Sequence, residues 1–135
     1  MSAQSERLKR RLQAIPKATI AATTPALRKA AEQMADTMRQ LAPEDTGALK
    51  ASIVVTASGQ ATPSYSQPGG SMVVPENAVA ITAGNTDVRY PHLVEYGHAK
   101  APPHPFFWPA FRLNRKKAAN RIKRAVSKAV RSTTS

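Results

Sequence analysis

Cysteine does not occur in this chain of 135 residues. That excludes disulfide staples, thiolate nucleophiles and cysteine-ligated zinc, and fits a reducing compartment such as the cytoplasm of the producing cell. Acidic residues are scarce: 8 Asp and Glu stand against 20 Lys and Arg, for a net charge of +12. None follows Glu95, so residues 96–135 carry basic side chains alone. Aromatics make up only 5% of the chain. No apolar run approaches the roughly 20 residues of a membrane helix. The charged opening M-S-A-Q-S-E-R-L-K-R-R lacks the apolar segment of a secretory signal. Catalytic patterns are missing as well. No serine stands in an acid–histidine arrangement, no carboxylates pair, and no glycine loop is shaped to cradle phosphate. His92, His98 and His104 with Glu95 fall short of the spacing of helical zinc sites. No cofactor or metal is expected.

What remains is one domain's worth of chain with a modest core. Hydrophobic residues reach 41%, and alanine, which buries little area, supplies much of that. A core so thin is easier to understand if sister subunits or a partner cover part of the surface. The basic C-terminal stretch favours an anionic partner, either nucleic acid or an acidic protein surface; a solvated helix face is the plain reading.

Apolar spacing predicts a short basic helix over Ser5–Ile15, on Leu8, Leu12 and Ile15. A second helix carries Leu27, Ala30, Ala31, Met34, Met38 and Leu41 on one face. It begins either at a Thr24 cap with Pro25 in first position, or near Lys17 with a kink at Pro25. Pro43 closes it. Asp45 or Thr46 can cap a one-turn helix, with Gly47 allowing an unusual dihedral. Ser52–Ala57 and Ala78–Ala83 read as an antiparallel strand pair, with Met72–Val74 as a possible third strand. The Gly-, Ser- and Pro-rich stretch between them reads as a mobile loop over 58–76. Pro91–Tyr96 is a helical turn stopped by Gly97, with Leu93 and Tyr96 set toward the core. A final helix from about Phe106 to Val130 has an apolar stripe of Phe107, Phe111, Ala118, Ile122, Ala125, Val126 and Ala129. Arg115, Lys116, Lys117, Arg121, Lys123, Arg124, Lys128 and Arg131 cover most of its remaining surface. The tail 132–135 should fray. The expected class is α+β: a small antiparallel sheet of two to four strands packed against the long early helix and the basic C-terminal one.

Three segments in order carry a family resemblance: L-A-P-E-D-T-G-A-L-K-A-S-I (residues 41–53), Y-P-H-L-V-E-Y-G-H (90–98) and P-P-H-P-F-F-W-P-A-F (102–111). Together they resemble the tail-completion or neck proteins of long-tailed bacteriophages, the family related to the minor tail protein Z of phage lambda. Two departures are His98, where that pattern has Thr or Ser, and a longer Tyr65–Met72 loop. The resemblance implies a non-enzymatic virion protein at the head–tail junction. It would form a homo-oligomeric ring between connector and tail, made in the host cytoplasm, with no membrane partner.

Carried over, the resemblance makes Asp45, Thr46 and Gly47 the turn from helix into sheet. Leu49 and Ile53 would be buried, and Tyr90, Leu93 and Val94 would seat the short turn, with Gly97 reversing the chain. Glu95 is a candidate partner for a basic residue of the last helix or of a neighbouring subunit. Phe106, Phe107 and Phe111 would anchor that helix, and Trp108 is a candidate interface residue. The basic residues of the helix would meet either DNA or an acidic neighbour. A free-standing basic protein that binds nucleic acid without sequence preference is the rival reading.

Overall fold

The computed structural model describes residues 5–6, 17–43 and 47–134. Of the Ser5–Ile15 helix, only residues 5 and 6 belong to that set, and both are helical. The long early helix, α1, spans Lys17–Leu41 and takes the earlier of its two possible starts, running through Pro25. A proline inside a helix removes one backbone bond and crowds the carbonyl four residues back. Just before it, the hydroxyls of Thr23 and Thr24 both donate to the Ile20 carbonyl, at 2.7 and 3.4 Å, a pattern that goes with local bending. Beyond the proline the apolar stripe turns inward, and Ala30, Ala31, Met34, Ala35 and Met38 are buried.

A one-turn helix, α2 (Ala48–Ala51), follows. Its cap position falls on Gly47, at φ 74°, so the cap residue offers no side chain. Asp45 and Thr46 lie outside the described residues. Leu49 and Ile53 are buried as expected. Strands β1 (Val54–Thr56) and β2 (Ala80–Thr82) pair antiparallel, Val55 opposite Ile81. They are shorter than the apolar runs that announced them. Ser52 is drawn out of the strand to close α2: its hydroxyl donates to the Leu49 carbonyl at 2.6 Å and accepts the Gly84 N–H at 3.0 Å.

The segment 58–76 departs from the mobile loop that its composition suggests. Thr62, Ser66 and Val74 are buried, and the backbone is stitched by Gly59 N–H to Val74 O and by reciprocal bonds between Gln67 and Ala83. Composition reports the lack of apolar side chains, but here backbone and hydroxyl bonds supply the order instead. Thr62 Oγ1, for example, accepts the Met72 N–H at 2.8 Å. The third strand is reduced to a single bridge, Ala61 with Val73.

The turn helix α3 (Pro91–Tyr96) leads to the final helix α4 (Phe107–Thr134). Asn114 Nδ2 donates to Thr37 Oγ1 and Arg121 Nη2 to Gln33 Oε1, at 3.1 and 3.4 Å. As α4 advances, its partners on α1 recede, so the two helices run antiparallel. Alanines at the buried contact, Ala30, Ala31, Ala35, Ala110 and Ala129, let the two backbones approach closely. The alanine-rich composition is therefore used in a helix-to-helix seam. Larger side chains gather at one end, where Met38, Ile53, Val88, Phe106 and Phe107 form one cluster. The fold is α+β: a helix hairpin with a two-stranded antiparallel sheet packed against it.

Candidate docking site

The end of the hairpin that holds the large side chains is organised by one carboxylate. A helix leaves its first four N–H groups without intrahelical partners. For α4 these belong to Phe106, Phe107, Trp108 and Pro109, and the proline has no N–H to leave. Glu95 takes all three that exist. Its Oε1 accepts from Phe106 and Phe107 at 3.0 and 2.9 Å, and its Oε2 from Trp108 at 3.2 Å. The residue is only 7% exposed, and its charge sits where the helix dipole favours an anion.

This corrects two expectations. Glu95 serves backbone amides rather than a basic side chain. The face of α3 that turns inward is therefore that of Pro91, Val94 and Glu95, while Tyr90, Leu93 and Tyr96 point outward. A helix of six residues can bury only one face, and the cap bonds decide which one. A signal for the cap does exist in the sequence. The position before α4 is an apolar Phe, with no Ser, Thr, Asp or Asn to cap locally, so the acceptor must come from elsewhere in the chain. Gly97 then turns the chain at φ 77°, with Pro103 so close that a Cβ would stand 2.7 Å from its nitrogen.

The four large aromatics separate by role. Phe106 is in the core, 1% exposed, and Phe107 is also buried. Phe107, Trp108 and Phe111 follow edge to face, with centroids 5.0 and 5.9 Å apart. Trp108 Nε1 donates to the Tyr96 hydroxyl at 2.8 Å, which joins the outer ends of α3 and α4. Tyr96 remains 68% exposed and Phe111 39%. Phe111 thus leaves the core role expected of it and lines an open groove with Leu27 and Ile122, and Val126 is likewise exposed. The result is a rigid aromatic ledge, Tyr96–Trp108–Phe111, on the protein surface.

Beside the ledge an apolar groove of about 380 Å³ opens between the hairpin and the sheet. Leu27 and Met34 of α1, Ile81 of β2, Pro68, and Phe111 and Ile122 of α4 line it. Pro68 and Ile81 were not among the anticipated site residues; no periodicity brings them there, only the folding back of 58–76. Elsewhere, Arg115, Lys116, Lys117, Lys123, Arg124 and Lys128 are exposed along α4. Arg121 is half-buried against Gln33, its Nε enclosed without a partner among the described residues. His92, His98 and His104 are exposed, and among the described residues no three His, Asp or Glu side chains gather as a metal site would require. No described helix is long and apolar enough to cross a membrane.

A family model described as "Bacteriophage HK97-gp10, putative tail-component" matches residues 6–97. No curated protein and no solved structure matches the chain. The match takes in two of the three signature segments almost entirely and ends at Gly97, so the aromatic segment and α4 lie beyond it.

Proposed function

Since the chain belongs to the HK97-gp10-like family of phage tail components, we propose that it is a non-enzymatic virion protein of the head–tail junction. Identical subunits form a closed ring that completes the tail or joins it to the head connector around the DNA path. Such a ring uses heterologous contacts, one patch of each subunit against a different patch of the next, closed by rotation.

The observation that carries this reading is the ledge of Tyr96, Trp108 and Phe111 beside the apolar groove. Scattered exposed apolar residues are ordinary. Three aromatics fixed by ring contacts and a Trp–Tyr hydrogen bond are not scattered, and they continue into a groove that the described residues leave open. Aromatic anchors of this kind dominate binding energy at protein interfaces, and their rigidity keeps the ordering cost of docking low. The folded state of segment 58–76 has the same effect: docking here needs no loop to become ordered.

The test is a phage carrying Tyr96→Ala with Phe111→Ala. Both side chains are exposed, so the subunit should fold, while filled heads and finished tails should accumulate unjoined. Normal yields of infectious particles from that double variant would overturn the docking role.

A further inference from the structure

We infer that one flank of α4, carrying Lys117, Arg121, Arg124 and Lys128 together with Lys29 of α1, faces the phosphate backbone of duplex DNA. The inference deepens the ring reading and rests on it for the presence of DNA beside the subunit. Positions 117, 121, 124 and 128 follow the helical repeat of four, three and four residues, so they form one strip. The strip borders the seam with α1, where Arg121 bonds Gln33. Lys29 lies one helical turn before Gln33 and is exposed.

Three features favour phosphate. Among the described residues no carboxylate pairs with Lys117, Arg124 or Lys128; Asp36, on the same face of α1 as Lys29, pairs instead with Arg39, which reaches the other flank and donates to the Ile53 carbonyl. The Arg121 guanidinium is half-buried at the seam, with Nη2 donating to Gln33 and Nε enclosed, and among the described residues it has no carboxylate partner. Between Lys117 and Lys128 the strip contains no apolar side chain, whereas the core of a protein interface is depleted of charge and built on aromatics. Of the exposed apolar residues of α4, Phe111, Val126 and Val130 lie on other faces, and Leu113, 71% exposed, stands one turn before Lys117 at the N-terminal edge of the strip. The strip is ~16 Å long at the helical rise, a length over which duplex DNA presents about ten charges. An acidic protein surface is the competing partner.

The experiment measures binding of the full-length protein to a labelled random-sequence duplex over a series of salt concentrations. Lys117→Gln/Arg124→Gln/Lys128→Gln removes three of the five charges of the strip, leaving Arg121 and Lys29. Arg112→Gln/Lys116→Gln/Lys123→Gln removes the same charge over the same helical span, about a third of a turn away. If three phosphate contacts are lost, the slope of log K against log salt falls by about 2.7 in the strip variant, and the control variant changes by less than one. Matching melting curves establish that both variants are folded. Equal losses in both would mean that net charge alone matters and would overturn the assignment. So would a wild-type protein that ignores the duplex at low salt but binds polyglutamate. Neither result touches the ring reading, which stands or falls on joining in the ledge variant.

Discussion

Replacing Glu95 should separate its capping role from any service to a basic side chain. Glu95→Ala removes the acceptor for three N–H groups, those of Phe106, Phe107 and Trp108. Two of these amides belong to buried residues, where water is a poor substitute. A hydrogen bond to a charged group contributes about 1.5–3 kcal/mol, and an orphaned buried donor costs about 1–3 kcal/mol. The three share one carboxylate and do not add, so the expected loss is about 3–5 kcal/mol. Glu95→Gln keeps an oxygen for Phe106 and Phe107, both of which use Oε1. It loses the Trp108 bond and the charge at the helix N-terminus, for about 1.5–2.5 kcal/mol. Against a total stability of roughly 5–15 kcal/mol, the alanine variant should melt about 10–20 °C lower and the glutamine variant about 5–10 °C lower. Urea unfolding followed by circular dichroism and by Trp108 fluorescence measures both. A Glu95→Ala protein within 1 kcal/mol of wild type would refute the cap. A Glu95→Gln protein as unstable as Glu95→Ala would show that charge alone matters, as for a partner cation.

Other substitutions test the packing with the same assay. Phe106→Ala should cost about 3–5 kcal/mol, as for a fully buried aromatic, while Phe111→Ala, partly exposed, should cost under about 1.5 kcal/mol; equal costs would contradict their different roles. Gly97→Ala combines a positive φ with a Cβ pressed onto the Pro103 backbone and should destabilise by more than about 2 kcal/mol. Gly47→Ala has a similar φ but open space around it, and should lose only about 1 kcal/mol. Ser52→Ala would leave the Gly84 N–H buried and unbonded, for about 1–3 kcal/mol; hydrogen exchange at Gly84 should report the opening directly.

Long-period patterns were open to reading in the sequence. The stripe of Ala30, Met34 and Met38, the basic cover of the last helix, the turn helix ending at Gly97 and the antiparallel strand pair all follow from spacing that one element sets for itself. The phage tail family was legible too, because the D-T-G triplet and the Y-x-x-x-V-E run hold their order whatever surrounds them. Charge asymmetry belongs to the same class, since composition fixes it before folding. Which residue of a short element faces inward is another matter. For α3, Leu93 and Tyr96 are the more apolar choice, yet Glu95 is buried, because three amides on an element eleven residues further on need an acceptor. Segment 58–76 reads as mobile because its order comes from hydroxyl and backbone bonds to Met72, Val74 and Ala83, none of which leaves a periodic trace. Phe111 stays partly exposed because the groove that it lines with Leu27 and Ile122 is left open by the described residues. Local spacing was the sequence's to determine; partners distant along the chain, and therefore the cap, the ledge and the groove, were decided only when the hairpin closed.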